Sequence, residues 1–438
     1  MSLPDFSLLH VFLERLKLTS RAHLILGSGG IAALALVLRY IYSKKKKTKY
    51  VTNLAHVGTS QYDVIIVGGG TAGCALASRL SEDHSIKVLL LEAGQSGIAL
   101  PYSRTPALFG KLYSTRHVLN LSTEPQAHAK GRTHFWPRAK LLGGCSSINA
   151  QMAQYGSPED FDEWAALMDD DSWSWKNFSQ CAISPRRLVS KAGSPKLMQR
   201  NTLKRYQPDP EYPLVDTNVH GASGPMRIGY FNTIRDTSKA FIKACTNVGI
   251  PFTPDFNVAS GTLGVSRVST LQRVSSESAY LTPDVLARKN LTVAVNAQVT
   301  RILFKKEDGG ETRAVGVQFA NGRNEKYRAL RYRALARKEV IICAGAVQSP
   351  QILMLSGVGP AAHLKTHDIF VVHDLPGVGS KLVDHPVVDL YFKDKRDDSP
   401  KFFQPKSIPD VFRLLKAIVQ YRVSGRGPLT TNVGGKTV

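Results

Sequence analysis

Gly68, Gly70 and Gly73 stand in a Gly-x-Gly-x-x-Gly frame, and Glu92 follows 24 residues after the first of them. Each has a chemical duty if the ligand is a dinucleotide. Gly68 permits a tight turn, Gly70 lets a pyrophosphate approach the backbone, and Gly73 lets a helix pack closely on a strand. Thr71 and Ala72 then open a helix whose unpaired N–H groups and positive dipole end suit phosphate. Glu92 is placed to accept hydrogen bonds from a ribose diol. The elements that must hold these residues are readable on either side. Residues 62–67, Tyr-Asp-Val-Ile-Ile-Val, are a β-branched apolar run that predicts a fully buried strand. Ala75, Leu76, Ala77 and Leu80 give a helical pattern, and residues 87–91 a second strand closed by Glu92. A bare glycine frame is weak evidence; strand, glycines, helix, strand and acid in that order outweigh a simple glycine-rich turn. This unit alone leaves NAD and FAD both open.

Two longer motifs bear on that choice. Residues 136–150 read Trp-Pro-Arg-Ala-Lys-Leu-Leu-Gly-Gly-Cys-Ser-Ser-Ile-Asn-Ala, and residues 345–359 follow Gly-x-x-x-Ser-Pro-x-Ile-Leu-x-x-Ser-Gly-Val-Gly. The chain resembles the glucose–methanol–choline (GMC) oxidoreductases, whose two signatures these are, from about Tyr62 to its end. The resemblance implies FAD as cofactor and a loop at Gly144, Cys145, Asn149 and Ala150 lying against the flavin. It also implies adenine contact at the backbone of Val299, and matches Glu92-Ala-Gly to the ribose-binding strand end. Residues 339–345 look like the strand returning beneath the flavin, Asp384-His385-Pro386 resembles a family turn, and Gly427-Pro428 the start of a substrate-domain segment. The implied reaction is oxidation of CH–OH donors, with hydride passing from a small-molecule alcohol to flavin. The family's catalytic His lies in a segment later than Val438, so no residue here inherits that role and none is assigned as catalytic. On this basis the chain as written is expected to hold FAD weakly and to lack turnover. A membrane-tethered flavin-binding protein without activity is the competing reading, and an NAD-dependent dehydrogenase a more distant third.

The sequence departs from the family in places. Cys145 stands where a hydroxyl residue is usual, and Ala139 where Gly is usual, so a positive φ at 139 would be costly. Residues 181–212 are basic, contain Pro and Ser, and show neither helical nor strand period, so a loop is expected. His363 and His367 are four apart, but no third ligand accompanies them and no metal is assigned. Asp384 beside His385 is read as a turn in which Asp bonds local backbone rather than as an acid–base pair.

Charge and composition bound the remaining classes. Hydrophobic residues make up 43% and charged residues 21%, ordinary for a globular chain. The net charge of +23, from 57 Lys and Arg against 34 Asp and Glu, is localised. Residues 14–49, 186–205 and 323–338 together carry +21 of it, which argues against a nucleic-acid groove spread over the fold. Five scattered cysteines without a Cys-x-x-Cys pair fit a reduced compartment. Residues 22–42 are almost uncharged, 21 residues long, and followed by Lys44, Lys45, Lys46, Lys47 and Lys49. That pattern predicts a single-pass transmembrane helix with a cytosolic body, preceded by a short amphipathic segment. The expected architecture is α/β. Residues 1–50 form the anchor region, and 60–376 a doubly wound, Rossmann-like FAD-binding region. Residues 377–438 begin a substrate domain built on an antiparallel sheet (α+β).

Overall fold

The computed structural model describes residues 50–58, 60–182, 204–206, 224–229, 234–257, 263–266, 274–322, 330–385, 387 and 401–431. The expected anchor at 22–42 lies outside them. Among the described residues no helix is long and apolar enough to cross a membrane.

The strands used below are β1 (Gln61–Val67), β2 (Val88–Glu92), β3 (Val118–Ser122), β4 (Phe135–Ala139), β5 (Leu291–Val295), β6 (Ala297–Lys306), β7 (Thr312–Asn321) and β8 (Arg331–Ile342). The helices are α1 (Thr71–Leu80), α2 (Pro158–Met168), α3 (Ser276–Tyr280), α4 (Gly345–Leu355) and α5 (Ile408–Ser424). Six strands form one sheet in the order β5-β2-β1-β8-β7-β6. β5, β2, β1 and β8 run parallel, while β7 is antiparallel to both β8 and β6. β1 and β2 are apolar because both their faces are covered. Ile65, Val67, Leu89 and Leu91 point to one core with Ile352 of α4, and Val64, Ile66, Leu90 and Val88 to the other with Cys74 and Ala77 of α1. The doubly wound expectation therefore holds for the parallel half.

One expectation, that for residues 181–212, needs correction, and two others gain detail from the described residues. First, residues 377–438 contribute no strand among the described residues. They supply α5 and a short 3₁₀ turn at Pro428–Thr430, which bury Ala417 and Leu429 against Ala107 and Phe403. The antiparallel pairing lies instead inside the main sheet, where β6–β7–β8 continue the parallel strands through hairpins. Second, the 181–212 stretch is not wholly irregular. Residues 181 and 182 end a helix (Trp175–Ala182), and Lys204–Tyr206 pairs in parallel with Met226–Ile228. Backbone pairing supplies the order there that side-chain periodicity does not signal. The remainder, 183–203 and 207–212, lies outside the described residues. Third, Ala139 needs no positive φ: it is paired with Val118 in the β3–β4 hairpin. The basic run at 331–338 forms the first part of β8, one arm of a hairpin with β7. Its Arg337 is half-exposed and grips the buried Asp63 with Nε–Oδ1 and Nη2–Oδ2 distances of 3.0 and 3.1 Å.

Candidate functional site

The glycine frame occupies the turn between β1 and α1, at the carboxyl ends of the parallel strands. Gly68 has φ +100°, and a Cβ there would lie 2.6 Å from the Cys343 carbonyl oxygen at the end of β8. A Cβ at Gly73 would lie 2.0 Å from the Gly68 carbonyl, so the close packing of helix on turn is met literally. Gly70 is different. It is the residue before α1 and gives that helix no side-chain cap. A Cβ there meets only Cys343 O at 3.7 Å and Gly144 Cα at 3.9 Å. Thr71 and Ala72 in the first turn are both exposed, and no side chain caps the helix start. That is what a phosphate-binding helix terminus requires.

A second loop closes against the first. Gly143 donates its N–H to the Gly69 carbonyl at 2.8 Å, and a Cβ on Gly144 would come within 2.7 Å of Gly70 Cα. Gly143 and Gly144, at φ +82° and +52°, start a 3₁₀ turn, Gly144–Ser147. The carbonyl of Cys145 accepts from Ile148 and Asn149, so Cys145, Asn149 and Ala150 are held on one short bend. Cys145 is half-buried and Asn149 exposed, its Oδ1 accepting from the Gln151 N–H. α3 locks the two loops together. Ser276 Oγ donates to the Thr71 carbonyl at 2.6 Å, and its N–H donates to Ser146 Oγ at 2.9 Å.

Glu92 is buried at the end of β2. Its Oε2 accepts from the Gly69 N–H at 2.9 Å and its Oε1 from the Gly94 N–H at 2.7 Å. Burial pushes its carboxyl above the usual range, against these two N–H groups and the Lys140 charge. The carboxylate thus shapes the glycine turn directly, a duty beyond the ribose contact expected from its position; each oxygen keeps a further lone pair for a diol. Cys74, on α1, donates its thiol to the Gly69 carbonyl at 3.1 Å and is pushed up by burial. Val299 lies on β6 next to a register shift, with its side chain in the sheet core. The start of β6 reaches the strand end that carries Glu92: the Asn296 N–H donates to the Gly94 carbonyl at 2.7 Å.

The structure therefore brings Gly68, Gly70, Thr71, Ala72, Gly73, Glu92, Gly144 and Cys145 to one place, with Asn149 and Ala150 on the continuing bend. Val299 stands on β6, the edge strand at the far end of the sheet order. Sequence reasoning missed Ser276 and the buried Glu277. The only signal was an acid set in the Ser-Ser-Glu-Ser-Ala-Tyr-Leu stretch, which by type suggests a solvated surface. It also missed the long-range bond from Trp136 Nε1 to Asp384 Oδ2 at 2.7 Å. The local half of the Asp384 reading holds, since its Oδ1 accepts from the His385 N–H at 2.8 Å.

A model of the GMC oxidoreductase family matches residues 62–387, most of the chain. The chain belongs to the GMC oxidoreductase family. Among curated relatives of this GMC protein, a dehydrogenase of Strobilurus tenacellus, str4, is 39% identical over 335 residues, covering 75% of this chain and 50% of the relative. The mitochondrial choline dehydrogenase of Mus musculus is 35% identical over 344 residues, 76% of this chain and 51% of its own length. An FAD-dependent oxidoreductase from Chaetomium thermophilum superposes with TM-score 0.69 at 26% identity, over 84% of this chain and 60% of that one. The chain thus spans about half to three-fifths of the length of these proteins. The cofactor of this GMC chain is FAD, and the uncapped helix terminus beside a glycine with open space in front of it fits the dinucleotide.

Proposed function

We propose that this GMC chain carries the FAD-binding part of an oxidoreductase acting on CH–OH donors, with a small-molecule alcohol as substrate. The observation that carries the reading is the junction of the two glycine loops, where Gly143 bonds Gly69 and Gly144 packs on Gly70. One loop presents helix N–H groups for a pyrophosphate; the other sets a narrow backbone bend against the same opening. When bound, FAD supplies a two-electron acceptor for hydride. The chain's own residues do the rest. Gly70 leaves room for phosphate, and Thr71 and Ala72 donate to it. Glu92 holds the turn and offers lone pairs to the ribose, with the Val299 backbone toward adenine. Gly144, Cys145, Asn149 and Ala150 form the surface against the flavin ring. Relatives named alcohol dehydrogenase and choline dehydrogenase support an alcohol of that general kind. No residue of this chain is assigned as the base that removes the hydroxyl proton.

The deciding experiment is anaerobic mixing of the flavin-loaded full chain with a panel of primary alcohols, choline included. Uptake of FAD without rapid bleaching is the expected result, because no residue of this chain is assigned as the base that removes the hydroxyl proton. Rapid bleaching by any of them would show that a base exists within these residues, and a chain that takes up no FAD would refute the reading.

The charge pattern of residues 22–49 supports a further part of the proposal, a single-pass membrane anchor with the body on the cytosolic side. Release of the protein by alkaline carbonate, or protection of the body from added protease in sealed vesicles, would contradict it.

A further inference from the structure

Glu277, the second residue of α3, is fully buried. Its Oε1 accepts from Tyr50 Oη at 2.9 Å and from Ser96 Oγ at 2.5 Å, and its Oε2 accepts from the Gly97 N–H at 2.9 Å. These donors are uncharged and lie about 180 or more positions away along the chain. One residue earlier, Ser276 touches Thr71, the first residue of α1. The first two residues of α3 therefore span three parts of the flavin site: the start of the phosphate helix, the 143–147 bend, and the segment 93–97 that follows Glu92. That segment is packed tightly. A Cβ on Gly97 would lie 2.5 Å from Leu141 Cδ1 and 3.4 Å from Glu277 Oε2. Gln95 in turn accepts from the Leu142 N–H at 3.0 Å.

Resting on the FAD placement above, we propose that Glu277 is a positioning residue for the flavin. It fixes residues 93–97 against the phosphate loop, and it does so as the neutral acid when the pyrophosphate is in place. Two physical arguments support this. An anionic Glu277, buried among uncharged donors, would repel the negative charge of a pyrophosphate held at the start of α1, which the adjacent Ser276 contacts. The neutral acid keeps its three partners, because the hydroxyls of Tyr50 and Ser96 accept as readily as they donate, while the carboxyl carbonyl still takes the Gly97 N–H. Burial already pushes this carboxyl above the usual range. The neighbouring titratable groups, Tyr50 and Cys74, are pushed up by burial as well and stay protonated, and Glu92 acts on Cys74 from the other side. The proton comes from solvent as FAD enters and returns to it as FAD leaves.

The test is the FAD dissociation constant of the full chain from pH 5 to 9, by quenching of flavin fluorescence. Wild type, E277Q and E277A are compared below their melting temperatures, which are measured in parallel. The wild type should bind more weakly as pH rises, by up to about tenfold per pH unit for one coupled proton. E277Q mimics the neutral acid and should lose that component of the slope, binding at least as tightly as wild type at high pH. E277A, which leaves 93–97 untethered, should bind at least about tenfold more weakly than E277Q throughout. If E277A does not fold, Y50F serves instead and should weaken binding in the same direction. A wild-type slope retained in E277Q would overturn the proton coupling. Equal affinities for E277Q and the truncated or Y50F variant would reduce Glu277 to a core residue. A wild type that binds no FAD at any pH would overturn the cofactor placement, and this proposal with it.

Discussion

The junction of the glycine loops and the C-terminal segment from 377 to 431 are held by different means. At the junction, added Cβ atoms would meet backbone at 2.0 to 2.7 Å at Gly73, Gly68 and Gly144, and Glu92, Ser276 and Glu277 all have buried partners. Further along, Leu382, Val383, Asp384 and His385 are exposed, and α5 is fixed by a small cluster around Ala417 and Leu429. Ile408, Phe412, Val419 and Val423 of α5 remain exposed. In the first region the glycine backbone at 68, 73 and 144 is held by close packing, and Glu92, Ser276 and Glu277 by buried hydrogen bonds. In the second, many side chains have water as a neighbour. The same substitution should therefore be felt very differently in the two regions.

The most severe test of this contrast is Gly73→Ala. Its methyl group has no room against the Gly68 carbonyl, so the turn or α1 must move. A loss of about 3 kcal/mol or more is expected, seen as a collapse in melting temperature or in soluble yield. Normal stability in this variant would contradict the packing described.

Gly70→Val probes the same turn at its one open position. The side chain enters space that phosphate needs, without a backbone collision at Cβ. Stability should change by under about 1 kcal/mol while FAD affinity falls at least about tenfold. Equal flavin content in variant and parent would show that the phosphate sits elsewhere.

Glu92→Gln is a milder perturbation. Gln offers one carbonyl oxygen, so the N–H of either Gly69 or Gly94 loses its acceptor, at about 1–3 kcal/mol. The pH dependence carries a second signature. Because burial raises the Glu92 carboxyl, the folded chain holds a proton that the unfolded chain has already released. That contribution to stability is complete below the ordinary carboxylate range and is lost as pH rises through the raised value. The variant should lack this decline. Parallel stability–pH curves for variant and parent would assign the effect to other groups.

The smallest effect is expected at Asp384→Ala. It removes the bonds to Trp136 Nε1 and the His385 N–H, both in an exposed setting, and should cost under about 1 kcal/mol in a denaturant titration. A loss as large as that of Glu92→Gln would show that the 377–387 segment is as tightly constrained as the loop junction.

How much of this was legible in the sequence differs between the same two regions. β1, the glycine turn, α1 and β2 were readable because each depends on local periodicity and backbone sterics. Gly73 must be Gly for the helix beside it, and the β-branched run 62–67 needs cover on both faces. The segment after 377 was expected to begin an antiparallel sheet and shows α5 among its described residues. Pairing between distant strands leaves little trace in a short segment, whereas the amphipathic face of α5 becomes meaningful only when Ala107 and Phe403 are known to meet it. The strand at Lys204–Tyr206 went unseen for a related reason: its partner, Met226–Ile228, is twenty residues away and supplies the hydrogen bonds.

By itself the sequence determined the cofactor class, the order of the central elements and most of the residues that meet at the junction of the glycine loops. Those follow from constraints within a few neighbouring residues and from motifs long enough to be specific. Only the tertiary structure decided that Glu92 spends its oxygens on the turn and that Ser276 bridges Thr71 to Ser146. It also decided that Glu277 lies buried beneath the 93–97 segment. An acidic side chain between serines is solvated in an isolated strip of sequence. It becomes a buried acceptor only when Tyr50, Ser96 and Gly97 converge on it from far along the chain. That convergence is a property of packing, and no local pattern of residue types records it.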